Sequence, residues 1–248
     1  MLHRASSWLG HDDLGRSLLF RLVPGFLISL AIGLVSAAVA GAIGVGLGMI
    51  AGLSGGKLDA LLMRLVDVLY GLPYLLTMIV LQIAFLPSLQ FLFGQDSQTA
   101  NVVLLFLAIG GVNWLTMARV IRGQVLSLRG QPFIEAARVA GADRIYIGVR
   151  HLLPNLSGTI LVYTALVIPQ AILQESLLSY LGIGVQPPMP SLGRLTADGV
   201  QAVNLFVDFW WLLVFPCTAL VLVLLGLSFI GDALRDALDP RVRVRLLD

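Results

Sequence analysis

Apolar positions along this chain gather into long charge-free windows rather than short alternating runs. No charged residue occurs between Arg21 and Lys57, between Asp67 and Asp96, or between Asp96 and Arg119. Glu175 is the only charge between Arg150 and Arg194, and none lies between Asp208 and Asp232. A membrane span needs about 20 mostly apolar residues. The windows predict five spans, at 26–50, 68–87, 101–120, 156–182 and 209–231. Hydrocarbon offers no partner to an unpaired backbone group, so each span is expected to be a helix. The Val- and Ile-rich patches lack the strict alternation of barrel strands. The predicted fold is therefore all-α: a polytopic membrane helical bundle with about five transmembrane helices.

Composition agrees with lipid as the main solvent. Of 248 residues, 58% are hydrophobic and 12% charged, about half the charged fraction of a soluble domain. The basic residues are Arg except for Lys57, and their placement reports topology. Segments 51–67, 121–155 and 232–248, with Arg119 at the rim, hold twelve of the sixteen: Lys57, Arg64, Arg119, Arg122, Arg129, Arg138, Arg144, Arg150, Arg235, Arg241, Arg243 and Arg245. Segments 1–25, 88–100 and 183–208 hold the other four, Arg4, Arg16, Arg21 and Arg194. The first set is expected in the cytoplasm together with the C-terminus. The chain then divides into an external segment 1–25, a transmembrane domain 26–231 and a cytoplasmic tail 232–248. The first 25 residues offer no apolar stretch long enough for a secretory leader.

Several spans carry internal detail. Gly44, Gly48 and Gly52 recur every four residues, preceded by Ala40, a small-residue face on which another helix can pack closely. Pro73 and Pro169 are each expected to free a backbone carbonyl and bend a helix. The fourth span holds Gln170, Gln174, Glu175 and Ser179. An acid in a span is costly and usually faces protein or water. Two readings stand side by side: a polar stretch lining a pathway, and hydrogen bonding between helices near the outer rim.

No catalytic constellation is present. His3, His11 and His151 are scattered, Cys217 is the only cysteine, and no phosphate-binding loop of the G-x-x-x-x-G-K-[ST] type occurs. The chain is not expected to be an enzyme, to hold a metal or to bind nucleic acid. The densest arginine run lies instead in the loop Gln131–Asn155. Glu135, Ala136, Ala137 and Ala140 favour helix, Gly141 interrupts it, Asp143 can cap a second helix, and Pro154 marks the entry to the next span. The product is a compact, Arg-studded knob.

That loop resembles the EAA loop of ABC importer permeases: Glu135-Ala136-Ala137, then Gly141, then Leu153-Pro154. The resemblance extends to LGHDDLGRSLLFRL at Leu9–Leu22, LDALLMRLVDVLYGLPYLL at Leu58–Leu76, ESLLSYLGIGVQPPMPSLG at Glu175–Gly193 and GDALRDALDPRVR at Gly231–Arg243. The chain is similar to the C-type inner-membrane subunit of oligopeptide, dipeptide and nickel importers. Family members carry a further span ahead of the Leu9–Leu22 stretch, which implies that a first transmembrane helix is missing from the external segment.

The resemblance implies a bacterial inner-membrane protein that pairs with a second, B-type permease subunit. Two cytoplasmic P-loop ATPases and an external substrate-binding protein complete the assembly. ATP and Mg would sit on the ATPases, with no cofactor bound by this chain. Glu135, Ala136, Ala137, Gly141, Leu153 and Pro154 would form the coupling loop gripped by an ATPase, and ATP-driven closure would open the pathway outward. Gln170, Gln174, Glu175 and Ser179 are candidates to line that pathway. The competing expectations are an ATP-independent secondary transporter or channel, and an importer of nickel or another small solute.

Overall fold

The computed structural model describes residues 9–12, 14–93, 97–202 and 209–238. Expectations that concern residues 1–8, 13 and 239–248, including Arg4 and the tail arginines Arg241, Arg243 and Arg245, lie outside the described residues. Among the described residues the regular elements are helices, apart from one isolated bridge between His11 and Ser17. They are α1 (Leu18–Ser54), α2 (Gly56–Tyr70), α3 (Tyr74–Leu92), α4 (Ser97–Leu128) and α5 (Pro132–Val139). Next come α6 (Arg144–Tyr146), a π-helical turn (Ile147–Leu152), α7 (Leu153–Tyr180), α8 (Leu192–Ala202) and α9 (Trp211–Leu238). Among the described residues five helical stretches are long and apolar enough to cross a membrane: Leu18–Ser54, Tyr74–Leu92, Gln98–Leu128, Arg144–Tyr180 and Trp211–Leu238.

The spans differ from their predicted bounds for physical reasons. Helix α1 begins at Leu18, so the end of the segment set apart as 1–25 is already helical. It includes Arg21, whose guanidinium is neutralised by Asp12 and Asp198. The span expected at 68–87 is divided: α2 ends at Tyr70, and α3 starts at Tyr74. Pro73 therefore does not bend a helix but precedes one, where its missing N–H costs nothing. Its carbonyl accepts from the Thr77 backbone N at 3.0 Å. Helix α4 continues past Arg119 and Arg122 because those side chains reach Asp67 and Asp59 on α2. Helix α9 runs on to Leu238, into the segment set apart as a tail.

The small-residue face of α1 packs closely against α4. A Cβ on Gly44 would lie 2.5 Å from Met117 Cβ, one on Gly48 2.6 Å from the Ala118 carbonyl oxygen, and one on Gly52 2.6 Å from Val125. The order of these pairs makes α1 and α4 parallel. Helix α7 runs against α1, with Gly33 on Ile168 and Ile172. Helix α9 runs against α7, with Gly231 on Leu166. These directions bring Lys57, Arg64, Arg119, Arg122, Arg129, Arg138, Arg144, Arg150 and Arg235 to one end of the bundle, here the knob end. Arg16, Arg21 and Arg194 lie at the other, the far end.

Apolar side chains fill the two halves separately. Met117, Ile121, Val125, Ile134, Ile147, Leu152 and Leu156 form the knob-end core. Ile32, Met78, Leu105, Ile109, Leu178 and Val185 belong to the far-end core. Helices α3 and α9 leave large apolar side chains such as Ile83, Phe91, Leu222 and Phe229 exposed. In hydrocarbon such exposure carries no hydrophobic penalty.

Candidate functional site: a knob, a polar cavity and a buried acid

The knob is built by local rules. Gln131 precedes α5, and Pro132 occupies its first turn, where proline is pre-organised for helix. Ile134 is fully buried in the knob-end core and anchors the helix. Glu135, Ala136, Arg138 and Val139 face outward. The helix closes with Ala142 N donating to Ala137 O at 3.0 Å and Gly141 N to Arg138 O at 3.0 Å. That closure needs a left-handed residue, and Gly141 supplies it at φ +86°. Asp143 then caps α6 by accepting from Tyr146 N at 2.7 Å, as its position in the sequence suggested.

The second short helix does not end in a loop. It passes through the π-helical turn into α7, and Leu153 and Pro154 form the start of that helix. The six residues of the predicted EAA loop thus lie on one α5–turn–α7 unit. A shallow groove of about 720 Å³ runs over it, lined by Phe133, Ala136, Ala140, Gly141, Tyr146 and His151. The His151 ring stands 5.7 Å from Tyr146 edge-on and 6.5 Å from Phe133. Exposed Val139, Ile145 and Val149 add apolar surface around it.

Behind the knob, α2 is clamped to α4. Arg122 donates through Nε and Nη2 to the two oxygens of Asp59, at 2.5 and 2.8 Å. Hydrogen bonding from Arg122 is the main reason the Asp59 carboxyl is held below its ordinary range; burial opposes the shift and loses. Arg119 adds a bond to Asp67 at 2.8 Å and lies over the Tyr70 ring. Arg129 reaches the Gly52 carbonyl at 3.2 Å. These partners were not identified in the sequence, although Asp59, Arg64 and Asp67 stand out as charges spaced along an otherwise apolar helix.

The four polar candidates of the fourth span separate into two environments. Gln170 and Gln174 line a cavity of about 530 Å³ together with Tyr74, Thr77, Asn113 and Thr116. Asn113 donates to Gln174 Oε1 at 2.8 Å and to Ile109 O at 2.9 Å. The Tyr74 hydroxyl is buried and makes no hydrogen bond among the described residues. Its neighbours Asn113 and Thr116 were missed from sequence, where their signal was an amide and a hydroxyl inside a charge-free window.

Glu175 and Ser179 do not face that cavity. Both are buried, Glu175 at 0% exposure. Its carboxylate accepts from Ser179 Oγ at 2.6 Å, Ser191 Oγ at 2.7 Å and Ser29 Oγ at 3.2 Å. This geometry matches hydrogen bonding between helices, not pathway lining. Ser179 was legible as a neighbour of Glu175 four residues on, whereas Ser29 and Ser191 were missed because they lie on α1 and just before α8.

At the far end a second charged group closes the surface. Asp12 accepts from Arg16 Nε at 2.7 Å and from Arg21 at 3.1 Å, while Arg21 also reaches Asp198 at 2.9 Å. Burial pushes the Asp12 carboxyl up, but its bonds to the Arg16 backbone and side chain and the nearby charges of Arg16 and Arg21 bring it down overall. Among the described residues no group of three or more His, Cys, Asp or Glu is placed to hold a metal ion.

Comparison with known proteins agrees with this architecture. The chain is 43% identical to the oligopeptide transport system permease protein OppC of Haemophilus influenzae, over 95% of this chain and 71% of that protein. It is 44% identical to OppC of Escherichia coli K12, over 95% and 73%. It is 38% identical to the dipeptide transport system permease protein DppC of Bacillus subtilis, over 96% and 70%. Its fold matches a chain of the inward-facing MetNI methionine ABC transporter with a TM-score of 0.67 at 21% identity, over 90% of this chain and 98% of that one. Residues 44–244 match the family described as binding-protein-dependent transport system inner membrane component. That match takes in most of the helical bundle, and the chain belongs to that family.

Proposed function

We propose that this chain is one of two permease subunits of an ATP-driven importer for oligopeptides or dipeptides. The observation that carries the substrate class is the cavity beside α7. Its polar groups are side-chain amides and hydroxyls, from Gln170, Gln174, Asn113, Thr116, Thr77 and Tyr74. Uncharged donors and acceptors match the peptide group, whereas nickel favours imidazole and other nitrogen or sulfur ligands. The relatives named as oligopeptide and dipeptide permeases support the same class.

In this proposal the knob end is cytoplasmic, because the basic residues concentrate there. The groove over Gly141 receives a surface of a P-loop ATPase, which binds ATP and Mg. The far end meets an external binding protein that delivers the peptide, and a B-type permease supplies the other wall of the pathway. Glu135, Ala136, Ala137, Gly141, Leu153 and Pro154 act as the coupling unit. Because α5 and α7 share the knob-end core, a pull on the knob moves whole helices as rigid bodies. The chain itself performs no hydrolysis.

The test is a pull-down of the tagged chain from detergent-solubilised native membranes, with partners identified by mass spectrometry, alongside uptake of labelled tetra-alanine by the same cells. Recovery of a second permease, P-loop ATPases and a binding protein, with ATP-dependent uptake, is expected. Recovery of the chain alone with uptake driven by an ion gradient would overturn the proposal.

A further inference from the structure

The Glu175 carboxylate stands at a junction the transport proposal does not use. Each of its three serine partners donates its hydroxyl proton to Glu175 and accepts a backbone N–H from the far-end segment. Ser179 Oγ accepts from Val185 N at 3.0 Å, Ser29 Oγ from Leu192 N at 3.0 Å, and Ser191 Oγ from Arg194 N at 3.0 Å. The serines come from α7, α1 and the residue before α8. One buried carboxylate therefore organises three backbone donors of residues 181–202 through three hydroxyl relays.

Two further observations show how closely that segment is held. Its backbone lies directly on α7. A Cβ on Gly193 would collide with the Ser176 backbone, and one on Gly184 would stand 2.5 Å from Ser179 Cα. Val185 and Leu192 are fully buried. In addition, the N-terminus of α8, which starts at Leu192, is the positive end of its helix dipole. The carboxylate is bonded to the residue just before it, so the dipole helps compensate for taking an acid out of water.

We propose that Glu175 is a positioning residue that pins residues 181–202 to the ends of α1 and α7, so that the far-end mouth is presented to the binding protein as one fixed surface. The pin depends on a pure acceptor. Glutamine has nearly the same shape, yet its NH₂ must face either the Ser29 hydroxyl or the Ser179–Ser191 pair. Whichever way it turns, a hydroxyl that donated to Glu175 loses its acceptor in a buried site, where an unmade hydrogen bond is expensive.

The test compares the wild-type chain with Glu175→Gln, purified from membranes into nanodiscs, by hydrogen–deuterium exchange. Exchange across 181–202 is expected to rise by about tenfold or more, with α4 and the Gly141 knob unchanged. Unchanged exchange in 181–202, or an equal rise throughout the bundle, overturns the pin. If Glu175→Gln does not accumulate, Ser191→Ala removes one relay and is read the same way. The transport consequence rests on the proposed importer function: tetra-alanine uptake by Glu175→Gln should need several-fold more binding protein for half-maximal rate, with the maximal rate kept. An unaltered requirement overturns the link between the pin and docking. Wild-type cells that take up no peptide would sink the importer proposal, while the exchange result still decides the pin.

Discussion

Arg122 of α4 grips Asp59 of α2 side-on, with one guanidinium nitrogen on each carboxylate oxygen. A two-pronged bond of this kind fixes direction as well as distance, and it joins the helix after the first span to the third. Arg122→Lys keeps the charge but offers no fork. It should lower the thermal midpoint in detergent by a few degrees, and Asp59→Ala should lower it more because a partly buried guanidinium is left behind. Differential scanning fluorimetry of the purified chain checks both.

The same pair sets a pH dependence. The Asp59 carboxyl is held below its ordinary range in the fold, so its stabilisation is complete above the unfolded value of about 4. It is lost as pH falls through the depressed folded value. The stability gap between wild type and Asp59→Asn should therefore stay constant from about pH 8 to pH 5 and close only below about pH 4. A gap that closes between pH 7 and 6 would assign the effect to another group.

Gly48 and Gly46 make a matched comparison. A side chain at Gly48 would enter the α4 backbone, whereas Gly46 faces open space. Gly48→Leu should cost about 3 kcal/mol or more through overpacking and strip the chain from the membrane fraction. Gly46→Leu should leave its abundance near wild type. Immunoblots of membranes decide the matter.

Gly141 carries its left-handed backbone on the exposed knob, with no atom near enough to obstruct a Cβ. Gly141→Asp should cost only about 1 kcal/mol in backbone strain yet place a charge in the coupling groove. Near-normal membrane abundance with peptide uptake reduced at least about tenfold is the expected result. Normal uptake would remove the groove from the coupling role.

Tyr74 offers opposite signs for stability and transport. Its hydroxyl is buried without a partner among the described residues, so Tyr74→Phe should stabilise the fold by up to about 1 kcal/mol. If the hydroxyl meets a peptide group in the cavity, uptake should fall several-fold. A rise in thermal midpoint with unaltered uptake would take Tyr74 off the pathway.

Much of this molecule is legible in its sequence because hydrocarbon imposes such simple rules. Charge-free windows located five crossing helices, and the four-residue spacing of Gly44, Gly48 and Gly52 located the close contact of α1 with α4. Gly141 and Asp143 announced the knob through local backbone chemistry. What remained hidden depends on distance in sequence. Glu175 looked equally suited to water and to protein until Ser29 and Ser191 appeared beside it, the first 146 residues away. Pro73 was read as a bend because an apolar run does not reveal that one helix has ended and another begun. Arg119 and Arg122 looked like the limit of a span, since their acidic partners lie on another helix.

The helical continuity from α6 into α7 has a mechanical consequence. Arg144–Tyr180 is continuous helix over 37 residues, about 55 Å at 1.5 Å per residue, with the π-helical turn Ile147–Leu152 and Pro169 along its length. Such a rod is a lever, with Asp143 at the handle and Glu175 close to the opposite tip. Turned by about 5° around its centre, it would shift each tip by roughly 2.4 Å. That exceeds the slack in the serine bonds around Glu175, so the far-end segment has to travel with the rod. Displacement at the handle becomes reshaping of the mouth, less what the π-helical turn and the Pro169 position absorb.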